Sequence, residues 1–172
     1  MEFADIFDNV RDKEIYYTER YSTSTFTYKI PLPPGIYVLN FKFSEVYFDA
    51  ANQKVFDVNI GADHVIQALD IYSKVGKYKG YDEFFDIEVK NDKVIVKGKE
   101  MRNGYEDGKL VINFKPGAHD NPKINGIVIF RGTIEKNMIY KEKQALLERS
   151  KETNEDRKKR EKLKRIGVVM ED

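Results

Sequence analysis

Residues Ile36 to Ile60 read IYVLNFKFSEVYFDAANQKVFDVNI, and they decide the fold. Over Ile36–Phe43, Tyr37, Leu39, Phe41 and Phe43 alternate with Val38, Asn40 and Lys42, the period of two that sends one set to one face of a strand. Val55–Ile60 repeats the pattern, with Val55, Asp57 and Asn59 opposite Phe56, Val58 and Ile60. Between the two strands Tyr47 and Phe48 stand side by side, followed by the small polar run Asp49–Gln53. Two neighbouring rings cannot both fill one core layer. Either one of them faces outward, or both sit on a loop rim where the strand has ended. Exposed aromatics on a rigid loop grip flat apolar ligand faces, including the C–H faces of sugars. The plainer alternative puts one ring in the core and lets the other shield a sheet edge.

The same alternation extends outward in both directions. Phe26–Ile30 alternates, and Pro31–Gly35 (PLPPG) then breaks the pattern where no helix could run through. Phe84–Val89, Lys93–Gly98, Lys109–Phe114 and Ile124–Arg131 follow with a similar period. Asn91–Asp92, Asn103–Gly104 and Asp107–Gly108 supply hairpin or turn chemistry between them. This predicts an all-β domain, an antiparallel sandwich of jelly-roll type, in preference to a barrel.

The chain has 172 residues, enough for one cored domain and an appendage. An aromatic fraction of 13%, from 11 Tyr and 11 Phe without Trp, suits pleated sheets. There is no cysteine, which excludes a disulfide scaffold, a thiolate metal site and a cysteine nucleophile. The first residues, MEFADIFDNVRDKEIYY, hold no apolar run of signal-peptide length, and no segment approaches a membrane span. No Asn-x-Ser/Thr acceptor occurs. These features predict a soluble, intracellular protein.

From Lys136 the composition changes. Residues 137–165 lack Gly and Pro and are rich in helix formers, with few apolar residues. A helix over about Met138–Leu147 is predicted to lie on the sandwich, with the remainder a solvated helix or disordered in isolation. Residues 141–172 carry 11 basic and 8 acidic side chains, whereas the first 140 carry 19 and 21. The segment 157–165 concentrates the bases: Arg157, Lys158, Lys159, Arg160, Lys162, Lys164 and Arg165. Such a run attracts an acidic surface such as tubulin, nucleic acid or anionic lipid, although a solvated charge run is its commoner meaning. The organisation expected is a lead-in over residues 1–14, a sandwich over 15–135 and a charged helical tail over 136–172.

Catalysis finds little support. His64 follows Gly61–Ala62–Asp63 in an apparent turn, with no second histidine at metal spacing. His119 neighbours a single carboxylate, Asp120. No nucleophile elbow, phosphate-binding loop or dinucleotide fingerprint is present, so neither an enzyme nor a cofactor nor a metal is expected.

Several strings, in order and with similar spacing, resemble the malectin domain. They are Tyr16–Tyr21 (YYTERY), Phe26–Pro31 (FTYKIP), Gly35–Leu39 (GIYVL), Phe43–Phe48 (FSEVYF), Gln53–Val58 (QKVFDV), Leu69–Ile71 (LDI) and Asp120–Ile124 (DNPKI), spanning about Ile15 to Gly132. The resemblance implies a carbohydrate-binding sandwich of the kind that in animals recognises glucose-bearing glycans in the endoplasmic reticulum. It carries the sugar-contacting aromatics onto Tyr21, Tyr47 and Phe48 and the acidic sugar ligand onto Asp120, with Glu45 and Asn121 as supporting hydrogen-bonding groups. Rings would stack on pyranose faces while a carboxylate accepts from hydroxyls.

The resemblance departs from the family at the start, where members carry a further strand and a glycine-containing loop with another tyrosine. A sandwich without that strand leaves an edge open to pairing. Two readings therefore stand. One is a glycan-binding module for a glucose-containing oligosaccharide, in the endoplasmic reticulum lumen if the N-terminus is truncated. The other is a docking protein of a larger cytoplasmic, cytoskeletal or ciliary assembly, whose rim, open edge and basic tail bind protein partners.

Overall fold

Alternation builds the sheets as the sequence dictates, and hairpin turns order them. The computed structural model describes residues 7, 9, 10 and 12–136, together with 141, 142, 144, 145 and 162. The chain divides into two compact units, Met1–Asn137 and Met138–Asp172. The described residues of the second unit are helical. Most of the predicted helix over 138–147 lies outside the described residues.

In the first unit the strands are β1 (Arg20–Tyr21), β2 (Phe26–Pro31), β3 (Gly35–Ser44), β4 (Val55–Ile60), β5 (Asp63–Leu69), β6 (Gly80–Lys90), β7 (Lys93–Val96), β8 (Lys99–Glu100), β9 (Tyr105–Glu106), β10 (Lys109–His119), β11 (Lys123–Ile124) and β12 (Gly126–Arg131), with a short helix α1 at Ile71–Val75. One sheet runs β2-β10-β4-β5, with β9 added on β10, and the other runs β12-β3-β6-β7-β8. A two-stranded piece pairs β1 with β11. The named pairs are antiparallel. The all-β sandwich read from the sequence is thus the fold.

Its core is aromatic. Leu39, Phe41 and Phe43 of β3 are fully buried and face Phe56 of β4 and Phe114 of β10 across the layers. The Phe41–Phe114 rings lie 5.9 Å apart edge to face, and the Phe43–Phe56 rings 5.9 Å apart at a tilt. Burying each ring stabilises the fold by about 1.5–3 kcal/mol before cavity terms. Asn91–Asp92 and Asp107–Gly108 both take positive φ, as the tight hairpins predicted there require.

One expectation needs correction: His64 lies in strand β5 and not in a turn. Strand β5 is an edge strand whose pairing with β4 shifts register twice, and Ala68 has φ +50° with its N–H donating to Asp57 Oδ1 at 2.7 Å. The bulges break the alternation that would have marked the strand. Val38, Asn40 and Lys42, the alternate set of β3, are buried as well. The Tyr16 hydroxyl donates to Asp82, to which Lys42 Nζ also bonds at 3.1 Å, and Lys42 Nζ lies 5.5 Å from the centroid of the Tyr16 ring. Burial and the neighbouring Asp82 push the Tyr16 phenol far above its usual range. The described lead-in residues pack too. Phe7 and Val10 form a second small core with Tyr16.

The two sides of the sandwich differ. On the β5 side, Asp63 ties β5 to β8 through Lys99 and to the loop after β8 through Arg102. On the other side, β2 and β12 end their sheets, and a cleft of about 460 Å³ opens there, lined by Arg20, Tyr28, Ile30, Ile124 and Ile127 among others.

Candidate functional site

The loop between β3 and β4 leaves the sheet at Ser44, so Tyr47 and Phe48 lie beyond the strand and not within its alternation. Of the alternatives drawn from the sequence, this is the loop rim. Tyr47 is 76% exposed, and its ring meets that of Phe48 edge to face with centroids 4.9 Å apart.

The loop is held by its own side chains. Glu45 is buried, and its Oε1 accepts from the N–H groups of Tyr47 at 2.8 Å and Phe48 at 3.1 Å. Lys77 Nζ donates to the Tyr47 carbonyl at 3.0 Å and pairs with Asp49 at 2.6 Å. That pairing raises the Lys77 pKa. Gln53 Oε1 accepts from the N–H groups of Asp49 and Ala50. Asp70, which caps α1 by accepting from Ser73 N–H, also accepts from Asn52 N–H at 2.6 Å. An apolar pair on a loop clamped at five backbone N–H groups is a preformed wall, since ordering entropy need not be spent when a ligand arrives.

The other half of the rim comes from the end of β10. Pairing of β10 with β4 shifts register between Pro116 and His119, so that His119 lies opposite Val55. Gly117 makes this possible, because a Cβ there would fall 2.3 Å from the Val55 carbonyl oxygen. Asp120 follows with φ +56°, next to Lys54, the residue before β4. Lys54 Nζ donates to Asp120 Oδ2 and to the Asn121 carbonyl at 3.3 Å, and it stands 5.4 Å from the centroid of the Phe48 ring. Asp120 keeps 31% of its side chain exposed, and its Oδ1 has no hydrogen-bond partner among the described residues.

Tyr47, Phe48, Asp120 and Asn121 are therefore brought together, with Lys54 at the centre. Tyr21 reaches this end by backbone: it pairs with Lys123, three residues past Asp120, and Ser22 N–H donates to the Pro122 carbonyl. Its ring is 62% exposed. Glu45 is a support for the loop backbone and not a surface group. Asn121 contributes its carbonyl to Lys54. Sequence reasoning missed Lys54, Lys77 and Asp70. Of these Lys54, in the QKVFDV string, and Asp70, in the LDI string, had a signal attached. His119 makes no contact that would recruit it to Asp120, whose bonded partner is Lys54. Among the described residues no group of three or more His, Asp or Glu could hold a metal ion, and no helix is long and apolar enough to cross a membrane. Of the basic tail, Lys162 is described, as helical and exposed. Arg157, Lys158, Lys159, Arg160, Lys164 and Arg165 lie outside the described residues.

With this geometry in view, the Malectin domain family model matches residues 2–127. Malectin-A of Xenopus laevis is 41% identical over 126 residues, 73% of this chain and 45% of its own length. Human malectin is 40% identical over 128 residues, 74% of this chain and 43% of its own length. The chain thus spans less than half the length of these relatives. Among solved structures, the ANXUR1 extracellular domain of Arabidopsis thaliana superposes with a TM-score of 0.56 at 20% identity, over 73% of this chain and 35% of that one. A β-glucuronidase of Bacteroides uniformis gives 0.52 at 17% identity, over 74% of this chain and 13% of the enzyme. These two likenesses concern the fold alone.

Proposed function

The chain belongs to the malectin family, and from that premise we propose that it is a non-catalytic module whose rim binds a glucose-containing oligosaccharide. One observation carries the reading. The exposed Tyr47 ring and the half-buried Phe48 ring are clamped beside a carboxylate with one oxygen unpartnered among the described residues, a wall for a pyranose C–H face next to an acceptor for its hydroxyls. Tyr21 extends the aromatic wall in this reading. The family resemblance favours the endoplasmic reticulum as the setting. The relatives and structures matched above include no cytoskeletal or ciliary protein by name. A docking role has one supporting observation, the cleft between β2 and β12. Localising the native protein separates the two: a secretory lumen favours the sugar, a cytosolic complex the docking role.

The test is a calorimetric titration of the full chain with neutral gluco-oligosaccharides. Binding is expected, and Tyr47→Ala with Phe48→Ala is expected to weaken it by about 100-fold or more, the scale of losing two anchor side chains. No binding by the unmodified chain, or equal binding by the double variant, would sink the proposal.

A further inference from the structure

We propose that Lys54 is the positioning residue of the rim, fixing the Asp120 carboxylate and the Phe48 ring relative to each other without itself contacting the sugar. This rests on the glycan reading above and assigns a role to a residue that the reading does not use.

Only 10% of the Lys54 side chain is exposed, and a buried ammonium is tolerated only where its donors are matched. An ammonium has three N–H donors and no acceptor. Two are satisfied, by Asp120 Oδ2 and by the Asn121 carbonyl, and the charge lies over the Phe48 ring at 5.4 Å. The cation therefore faces a carboxylate, a backbone carbonyl and an aromatic face at once. Each of the three is attracted to positive charge, the ring through its quadrupole.

The consequence for binding is geometric. Asp120 sits on a residue with φ +56° after the β10 irregularity, a backbone that by itself does not fix the side chain. Lys54 removes that freedom by holding Oδ2, which leaves Oδ1 as the acceptor available at the rim. The same cation ties the ring wall to the carboxylate. Sugar recognition needs both at a set separation, because stacking fixes the pyranose plane and the hydroxyl bond fixes its rotation in that plane. The groups the ammonium engages at the rim are Asp120 and Phe48, so its contribution passes through them.

A double-mutant cycle read by titration with a neutral gluco-oligosaccharide tests this. Lys54→Met is expected to weaken binding about tenfold, the scale of a charge-assisted hydrogen bond lost from alignment. Lys54→Arg should restore binding to within about threefold, since a cation at this place is what the role requires. In an Asp120→Asn background, Lys54→Met should cause little further loss, because its main route to the sugar is already gone. Equal affinities of Lys54→Met and the unmodified chain overturn the proposal while leaving the glycan reading intact. A full, additive loss in the Asp120→Asn background also overturns it and points to direct contact or general destabilisation. Should Lys54→Met not fold, the side-chain resonances of Lys54 in the unmodified chain decide the matter. They should move on Phe48→Leu and on Asp120→Asn, and unmoved resonances overturn the clamp. If the unmodified chain binds no gluco-oligosaccharide, the glycan reading fails and the positioning role falls with it, while the resonances report separately on the clamp.

Discussion

Strand β4 has a carboxylate at each end, and the two are treated in opposite ways. At the Ile60 end Asp63 is closed off. Its side chain is 7% exposed, Oδ1 accepts from Arg102 Nη2 at 3.0 Å and from Lys99, and Oδ2 accepts from the Arg102 N–H at 2.7 Å. Hydrogen bonds from the Arg102 side chain and backbone hold the carboxyl far below the usual carboxylate range. At the Val55 end Asp120 has one cation, one engaged oxygen and one open oxygen beside two rings. A saturated carboxylate can only hold the fold together. A half-saturated one next to an exposed tyrosine and a half-buried phenylalanine is equipped to accept from something else.

The sharpest way to break that contrast is to exchange the two readouts. Asp120→Asn, which keeps an acceptor oxygen for the buried Lys54 ammonium, should lower oligosaccharide affinity by about tenfold or more while lowering the melting temperature by less than the Asp63 change does. Asp63→Ala should do the reverse, lowering the melting temperature by several degrees in a scanning experiment, with affinity unchanged at temperatures where the chain is folded. Loss of affinity from the Asp63 change would erase the distinction between the ends.

Acid titration of stability gives a second, smaller contrast. The Asp63 carboxyl is depressed in the folded chain, so the unfolded chain takes up that proton first as pH falls. The stability that Asp63 contributes is complete above the ordinary carboxylate pKa of about 4 and is lost as pH drops below it toward the depressed value. Asp63→Asn should therefore start less stable at neutral pH and lose less between about pH 5 and pH 2. Parallel denaturation curves for the two proteins across that range would show that Asp63 carries no such linkage.

Glu45→Gln should have the smallest effect. The amide keeps one oxygen for the Tyr47 and Phe48 N–H groups but gives up the charge, so affinity should fall by only about two- to threefold. A tenfold loss would mean that Glu45 does more than support the loop.

Much of this was legible in the order of residues. The inward set Tyr37, Leu39, Phe41 and Phe43 and the hairpins at Asn91–Asp92 and Asp107–Gly108 follow from local patterning, and local patterning is what a sequence displays. Strand β5 was hidden because its bulges break the period, and the burial of Asn40 and Lys42 was hidden because their partners, Tyr16 and Asp82, come from elsewhere in the chain. The rim divides along the same line. Tyr47 and Phe48 announce themselves by adjacency, whereas Lys54 reads as an ordinary polar residue before a strand. Its partner lies 66 residues away, and only the β10–β4 register brings the two together.

The central claim is that sugar binding belongs to the Val55 end of β4 and not to the Ile60 end. An amide-detected NMR titration of the full chain with a neutral gluco-oligosaccharide tests it most directly. The account predicts saturable shifts at Tyr21, Tyr47, Phe48, Lys54, Asp120 and Asn121, with Asp63, Lys99 and Arg102 unmoved. Shifts centred on Asp63 and Arg102, or none at the rim at saturating sugar, would contradict it.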